Sequence, residues 1–128
     1  MKFGSNEWGN AFKEVINNDT EFTNGLADPE NFTLNMEFAV PGTKFHLRFE
    51  SGKLIYTGEP KYKEEELALI ITTDSETWQK IASGQEQATK MLDMGKITVQ
   101  KGPMDAVLGN AGAFNCFMAD VGKVPTEW

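Results

Sequence analysis

Phe32-Thr33-Leu34-Asn35-Met36-Glu37-Phe38-Ala39-Val40-Pro41-Gly42-Thr43-Lys44-Phe45-His46-Leu47-Arg48-Phe49-Glu50-Ser51-Gly52 decides the fold class. Phe32, Leu34, Met36, Phe38 and Val40 alternate with other residues, so in an extended chain all five side chains fall on one face. Val40-Pro41-Gly42-Thr43 has Pro and Gly in the order of a type II turn, and Phe45, Leu47 and Phe49 then repeat the alternation against His46, Arg48 and Glu50. The two segments are predicted to pair antiparallel. Ser51-Gly52 signals a second tight turn, and Lys53–Thr57 supplies a third strand that completes a meander.

Toward the C-terminus, Gly58–Glu66 is charged, contains a Pro and reads as a connecting loop. Leu67–Thr72 is apolar without a break, which predicts an interior strand covered on both faces. Thr73-Asp74-Ser75-Glu76 fits a capping box and opens a helix with Trp78, Ile81 and Ala82 inward, stopped at Gly84. A second short helix is expected over Gln85–Met94, with Ala88, Met91 and Leu92 on one side, followed by a last strand over Lys96–Gln100. Pro103 then starts a final helix, whose apolar side is formed by Met104, Val107, Leu108, Ala111, Phe114 and Met118. Gly109 and Gly112 each weaken that helix by about 1 kcal/mol relative to Ala and mark where it breaks.

Toward the N-terminus, Trp8, Ala11, Phe12, Val15 and Ile16 have the spacing of one buried helical face, capped at Ser5 or Asn6 and ended by Asn17-Asn18-Asp19. Thr20–Pro29 has no period and is expected to be a loop or a single extra turn. The element order predicts an α+β fold: a five-stranded, mostly antiparallel sheet with helices packed on one face, all within one domain spanning residues 1–128.

With 12 Lys plus Arg against 19 Asp plus Glu, the net charge of -7 repels phosphates, so no nucleic-acid partner is expected. Cys116 is the single cysteine and has no internal disulfide partner. The first residues lack the apolar run of a secretory signal, and no stretch approaches the roughly 20 apolar residues that span a bilayer. A soluble, cytoplasmic setting is the expectation.

Catalytic candidates are few. His46 lies on the polar side of an alternating strand and is expected to be a surface residue whose replacement by Ala shifts stability by no more than about 0.5 kcal/mol. Cys116 sits among Phe114, Phe117 and Met118 and reads as an inert, small hydrophobe. One His and one Cys cannot supply a usual zinc set, and Glu64-Glu65-Glu66 is a solvated charge run, so no metal is expected. No nucleophile elbow, Walker loop or dinucleotide fingerprint is present, which leaves no predicted catalytic residue, no cofactor and no enzymatic activity.

The remaining signal is apolar. Trp78, Met91, Met94, Ile97, Met104, Leu108, Phe114, Phe117 and Met118 form a Met- and aromatic-rich set that either fills an ordinary core or lines a cavity, because flexible Met side chains suit irregular apolar space. Composition does not choose between the two.

At this point the chain resembles the sterol carrier protein type-2-like lipid-transfer family. The resemblance lies in the order of elements and in three local patterns. These are Phe45–Glu50 and Lys53–Thr57 joined at Ser51-Gly52; Leu69-Ile70-Ile71-Thr72-Thr73-Asp74-Ser75-Glu76-Thr77-Trp78 followed by Ile81-Ala82-Ser83-Gly84; and Ala88–Leu92 leading to Gly95-Lys96-Ile97-Thr98-Val99 and Gly102. The resemblance implies that the sheet and helices enclose an apolar tunnel for a sterol, fatty acyl chain or other lipid, lined by the nine residues named above and covered by the final helix. It thus favours cavity over core and implies a non-enzymatic lipid carrier, making transient contact with a membrane or an enzyme. The alternative is a protein-interaction module or accessory subunit for a lipid- or quinone-pathway enzyme. The C-terminus Thr126-Glu127-Trp128 departs from the Ser-Lys-Leu peroxisomal address of some members, and the Gly58–Glu66 loop is more charged than a tunnel wall.

Overall fold

A computed structural model describes the chain over residues 1–128. Helix α1 (Asn6–Asn18) begins where Ser5 accepts the Trp8 N–H at 3.2 Å, and buries Trp8, Phe12 and Ile16. Asp19 ends it and at once caps α2 (Thr20–Asn24), accepting the N–H groups of Glu21 and Phe22 at 2.9 and 3.3 Å. The extra turn expected there is therefore a short helix, and Phe22 is its buried anchor. A 3-10 turn at Pro29–Asn31 leads into the meander of β1 (Leu34–Val40), β2 (Thr43–Glu50) and β3 (Lys53–Gly58). Both turns follow the sequence signals, with positive φ at Gly42 and at Ser51-Gly52.

Strand β4 (Leu69–Thr72) pairs parallel with β1, and β5 (Thr98–Lys101) pairs antiparallel with β4. The sheet is mixed, in the order β3-β2-β1-β4-β5, so β1 lies at its centre. Strand β4 is interior, as expected, but it is fully covered on one face only. Leu69 and Ile71 enter the core, whereas Ile70 and Thr72 are half-buried on the other side. On that second face Ile70 borders the same pocket as Leu67, Pro60 and Tyr62.

The cap of α3 (Ser75–Ala82) also differs from expectation. Asp74, not Thr73, accepts the Thr77 N–H, at 2.7 Å, and that bond holds its carboxyl below the ordinary range. Thr73 is used elsewhere: its hydroxyl donates to the Lys96 carbonyl at 2.8 Å and ties the start of α3 to the segment before β5. Helix α4 (Ala88–Asp93) follows, and the expected final helix is two helices, α5 (Asp105–Leu108) and α6 (Ala111–Ala119), ending in a 3-10 turn at Asp120–Lys123. The break falls at Gly109-Asn110. Asn110 accepts the Ala27 N–H and donates to the Ala106 carbonyl, which fixes the corner between the two helices.

One core of 26 buried residues lies between the sheet and the helices. Its centre is aromatic: Phe38 stacks on Phe117 at 5.0 Å and on Phe45 at 5.7 Å, and Trp8 stacks on Phe12 at 4.9 Å. At the sheet edge, Asn17 of α1 exchanges two hydrogen bonds with the Leu54 backbone of β3, as a neighbouring strand would. Helices α2 and α6 approach closely at Gly25, where a Cβ would sit 2.3 Å from the Ala113 nitrogen.

The opposite sheet face is crossed by the 59–68 strap, which carries the chain from β3 to β4. It buries His46, which is 2% exposed, and so overturns the expectation of a surface residue. His46 Nδ1 accepts the N–H groups of Lys61 and Tyr62, each at 3.0 Å, and Nε2 lies 2.8 Å from Glu37 Oε1. Two donors at Nδ1 require a lone pair there, so Nε2 carries the proton given to Glu37. The Tyr62 ring stacks on the imidazole at 5.7 Å. Alternation along β2 locates His46 on the non-core face; only the path of the strap buries it.

Two stability outcomes follow from these contacts. His46→Ala removes three hydrogen-bond partners from a buried position and should lower stability in urea unfolding by about 2 to 3 kcal/mol, with earlier proteolytic cleavage in residues 59–66; a change below about 0.5 kcal/mol would mean that the strap holds itself. Gly25→Ala should cost about 2 kcal/mol or more, because the methyl meets backbone that cannot yield without parting α2 from α6.

Candidate functional site

The space between the core face of the sheet and helices α2, α5 and α6 contains an apolar pocket. Its floor is Met36 and Phe38 of β1, Phe49 of β2, and Leu69 and Ile71 of β4. Its walls and roof are Phe22 of α2, Leu26 and Phe32 of the connection to β1, Ala106 and Val107 of α5, and Ala113, Phe114 and Phe117 of α6. Thirteen of the 14 lining residues are hydrophobic, and the one polar residue, Asn110, stands at the α5–α6 corner. The free volume is about 30 Å³, room for about one water, so the lining side chains nearly close the pocket in this state. Phe22 stacks on Phe49 at 5.5 Å, and Phe117 meets both rings at 6.4 Å. The floor is rigid sheet; the roof is three short helices.

Of the nine residues proposed from sequence, Phe114 and Phe117 line this pocket. Trp78, Met91, Ile97 and Met118 are buried in the surrounding core, where Trp78 Nε1 donates to the Met118 carbonyl at 3.0 Å. Met94, Met104 and Leu108 are on the surface, 56%, 44% and 54% exposed. The reason for Met104 and Leu108 is the break at Gly109-Asn110. A single helical wheel places both residues in line with Phe114 and Met118, but the chain restarts its phase at Ala111, and Val107 is the side chain that α5 turns inward. Among the lining residues not singled out by sequence, Met36, Phe38 and Phe49 carry a signal for burial through the alternation of β1 and β2, whereas Phe22 lies in α2, where the sequence has no period. That this buried face borders a pocket depends on where α2 and α6 lie across it.

The polar candidates stay quiet. Both His46 ring nitrogens are engaged, which leaves no lone pair for proton abstraction. Cys116 is half-buried on α6, and burial, reinforced by Asp19, Asp120 and Glu21, pushes its thiol up and disfavours the thiolate. No three His, Cys, Asp or Glu side chains gather as a metal centre requires, and no helix is long and apolar enough to cross a membrane.

The fold has well-matched relatives. A crystal structure of sterol carrier protein 2 superposes with a TM-score of 0.78 at 16% identity, over 97% of this chain and 100% of that one. A protein from Thermus thermophilus, described as possibly a sterol carrier protein, gives 0.75 at 17% identity over 99% and 92%. A ubiquinone synthesis protein, UbiJ-SCP2, gives 0.57 at 15% identity over 96% of each chain. No curated protein sequence matches at a significant level. At these identities the likeness shows the fold, and the sequence itself supplies the family: the model of the SCP-2 sterol transfer family matches residues 12–115. This chain belongs to the SCP-2 sterol transfer family.

Proposed function

We propose that the protein is a non-enzymatic carrier that takes the apolar chain of a lipid into the pocket between the sheet and α2, α5 and α6. The observation that carries this reading is the pocket lining, hydrophobic at 13 of 14 positions in a chain that belongs to a sterol transfer family. Each buried CH₂ is worth about 0.8 kcal/mol, so an acyl chain of a dozen carbons gains on the order of 10 kcal/mol before ordering costs. Reversible micromolar binding needs no more than this. Such a chain exceeds a free volume of about 30 Å³, so loading requires the roof to move outward. Helix α5 is the part of the final helical segment suited to that movement. It has four residues, buries only Val107 and is followed by Gly109, which costs little to reorient.

A second reading, an accessory subunit that passes an apolar intermediate to an enzyme, is supported by the likeness to the ubiquinone synthesis protein and by the exposed Met104 and Leu108 beside the pocket. The two readings share the pocket and differ in who receives its contents.

Mass spectrometry of an organic extract of the purified protein should reveal a co-purifying lipid, and a fluorescent long-chain probe should bind and be displaced by unlabelled lipid. Val107→Gln puts an amide into the lining and should weaken probe binding by about tenfold, with far-UV circular dichroism preserved. Met104→Gln and Leu108→Gln, on the outer side of α5, should alter it less than about twofold. Unchanged affinity in Val107→Gln would overturn the pocket assignment, and equal losses in all three variants would place the chain along the outer face of α5.

A further inference from the structure

The exposure of its lining residues shows where the apolar pocket meets water. Phe32, Ala106 and Asn110 are half-buried, and the other lining residues are buried. The mouth therefore lies between the connection to β1, which carries Phe32, and the α5–α6 corner, which carries Ala106 and Asn110. A lipid chain entering here keeps its polar end at the mouth, because the interior offers that end no partner. Asn110 is the one lining residue whose side chain forms hydrogen bonds.

Asn110 is held but not saturated. Its Oδ1 accepts the Ala27 N–H at 2.9 Å, and its Nδ2 donates to the Ala106 carbonyl at 2.8 Å. A carboxamide has two N–H donors and two acceptor lone pairs, so one of each remains for a visitor. A hydroxyl, itself donor and acceptor, can use both, whereas a carboxylate can use only the donor.

Charge points the same way. None of the lining residues is ionisable. Each backbone group bonded by Asn110 adjoins an acid, Asp28 after Ala27 and Asp105 before Ala106, and Glu30 stands two residues before Phe32; all three acids are exposed. The cations nearest in the chain face elsewhere. Lys53 follows Gly52, whose N–H donates to the Phe32 carbonyl, but it lies opposite Glu50 and out of phase with core-facing Leu54, on the outer face of the sheet. Lys101, ahead of the turn into α5, donates through Nζ to the Glu64 carbonyl of the strap. A carboxylate brought to this mouth would lose water without gaining a counter-ion and would meet negative charge at the rim.

We infer that the pocket selects long-chain lipids whose polar end is uncharged and both donates and accepts a hydrogen bond, as an alcohol does, over those that end in a carboxylate, and that Asn110 receives that end. This rests on the carrier reading above and narrows it.

The test uses 1,6-diphenylhexatriene, an uncharged hydrocarbon that fluoresces in apolar surroundings, displaced at pH 8 by dodecan-1-ol or by dodecanoate. That pH keeps the carboxyl ionised. The alcohol should displace the probe at a concentration about tenfold or more below that of the carboxylate. Asp105→Lys, and separately Asp28→Lys, puts a cation at the rim and should bring the two competitors at least about threefold closer. Asn110→Leu should weaken the alcohol about fivefold more than it weakens the probe. If the corner fails in that variant and the probe is lost, Asn110→Asp replaces it: the acceptor for Ala27 is retained, and the added charge should widen the ratio of the two competitors. Equal displacement by alcohol and carboxylate in wild type, a ratio indifferent to both lysine variants, or an alcohol indifferent to the change at Asn110 overturns the selectivity and leaves the carrier reading intact. Wild-type protein that binds neither the probe nor either competitor overturns the carrier reading itself.

Discussion

Parallel pairing of β1 with β4 is the constraint on which the rest of the molecule depends. The meander leaves the chain at the far edge, at β3, and the next strand must be laid beside β1 in the same direction, two strands away. No hairpin can do this, so the connection has to cross β2 and β1 over one face of the sheet. Helices α1, α2, α3 and α6 occupy the other face, which leaves the outer one to the 59–68 strap. Its burial of polar backbone is tolerable because β2 and β1 present His46 and Glu37 beneath it, and the imidazole accepts the two amide N–H groups that the crossing carries inward. The division of labour between the faces follows from one strand register.

That division also explains why the apolar pocket lies where it does. The core face of the sheet is rich in aromatic side chains, while α2, α5 and α6 are too short to cover it as a single long helix would. Short helices gain little from their own hydrogen bonds and depend on what they pack against. Phe22, Phe114 and Phe117 hold the roof down by filling the space beneath it. In an SCP-2 family member this arrangement suits a carrier, since an entering chain exchanges one set of apolar contacts for another and no strong polar bond has to be broken.

Much of this was legible in the sequence because it depends on near neighbours. Period two in β1 and β2, the type II turn at Pro41-Gly42, the α1 face of Trp8, Phe12 and Ile16, and the weak point at Gly109 follow from backbone geometry and local side-chain chemistry. The errors are equally instructive. The cap of α3 went to Asp74 because Thr73 is drawn to Lys96, a residue distant in sequence. Met104 and Leu108 were assigned inward by a helical phase that the Asn110 corner resets.

The sequence by itself determined the strands, most of the helices, the α+β class and the absence of any familiar catalytic motif, since these are set by residue spacing and by hydrogen bonds that close within a few residues. Only the tertiary structure decided that His46 is buried and that Phe22, Met36, Phe38 and Phe49 face a pocket. Alternation tells a side chain which face it takes, but what covers that face is settled by long-range crossings, here the strap over one side and the α2–α6 contact over the other. Those contacts join residues that are many positions apart, and their geometry is a property of the whole fold.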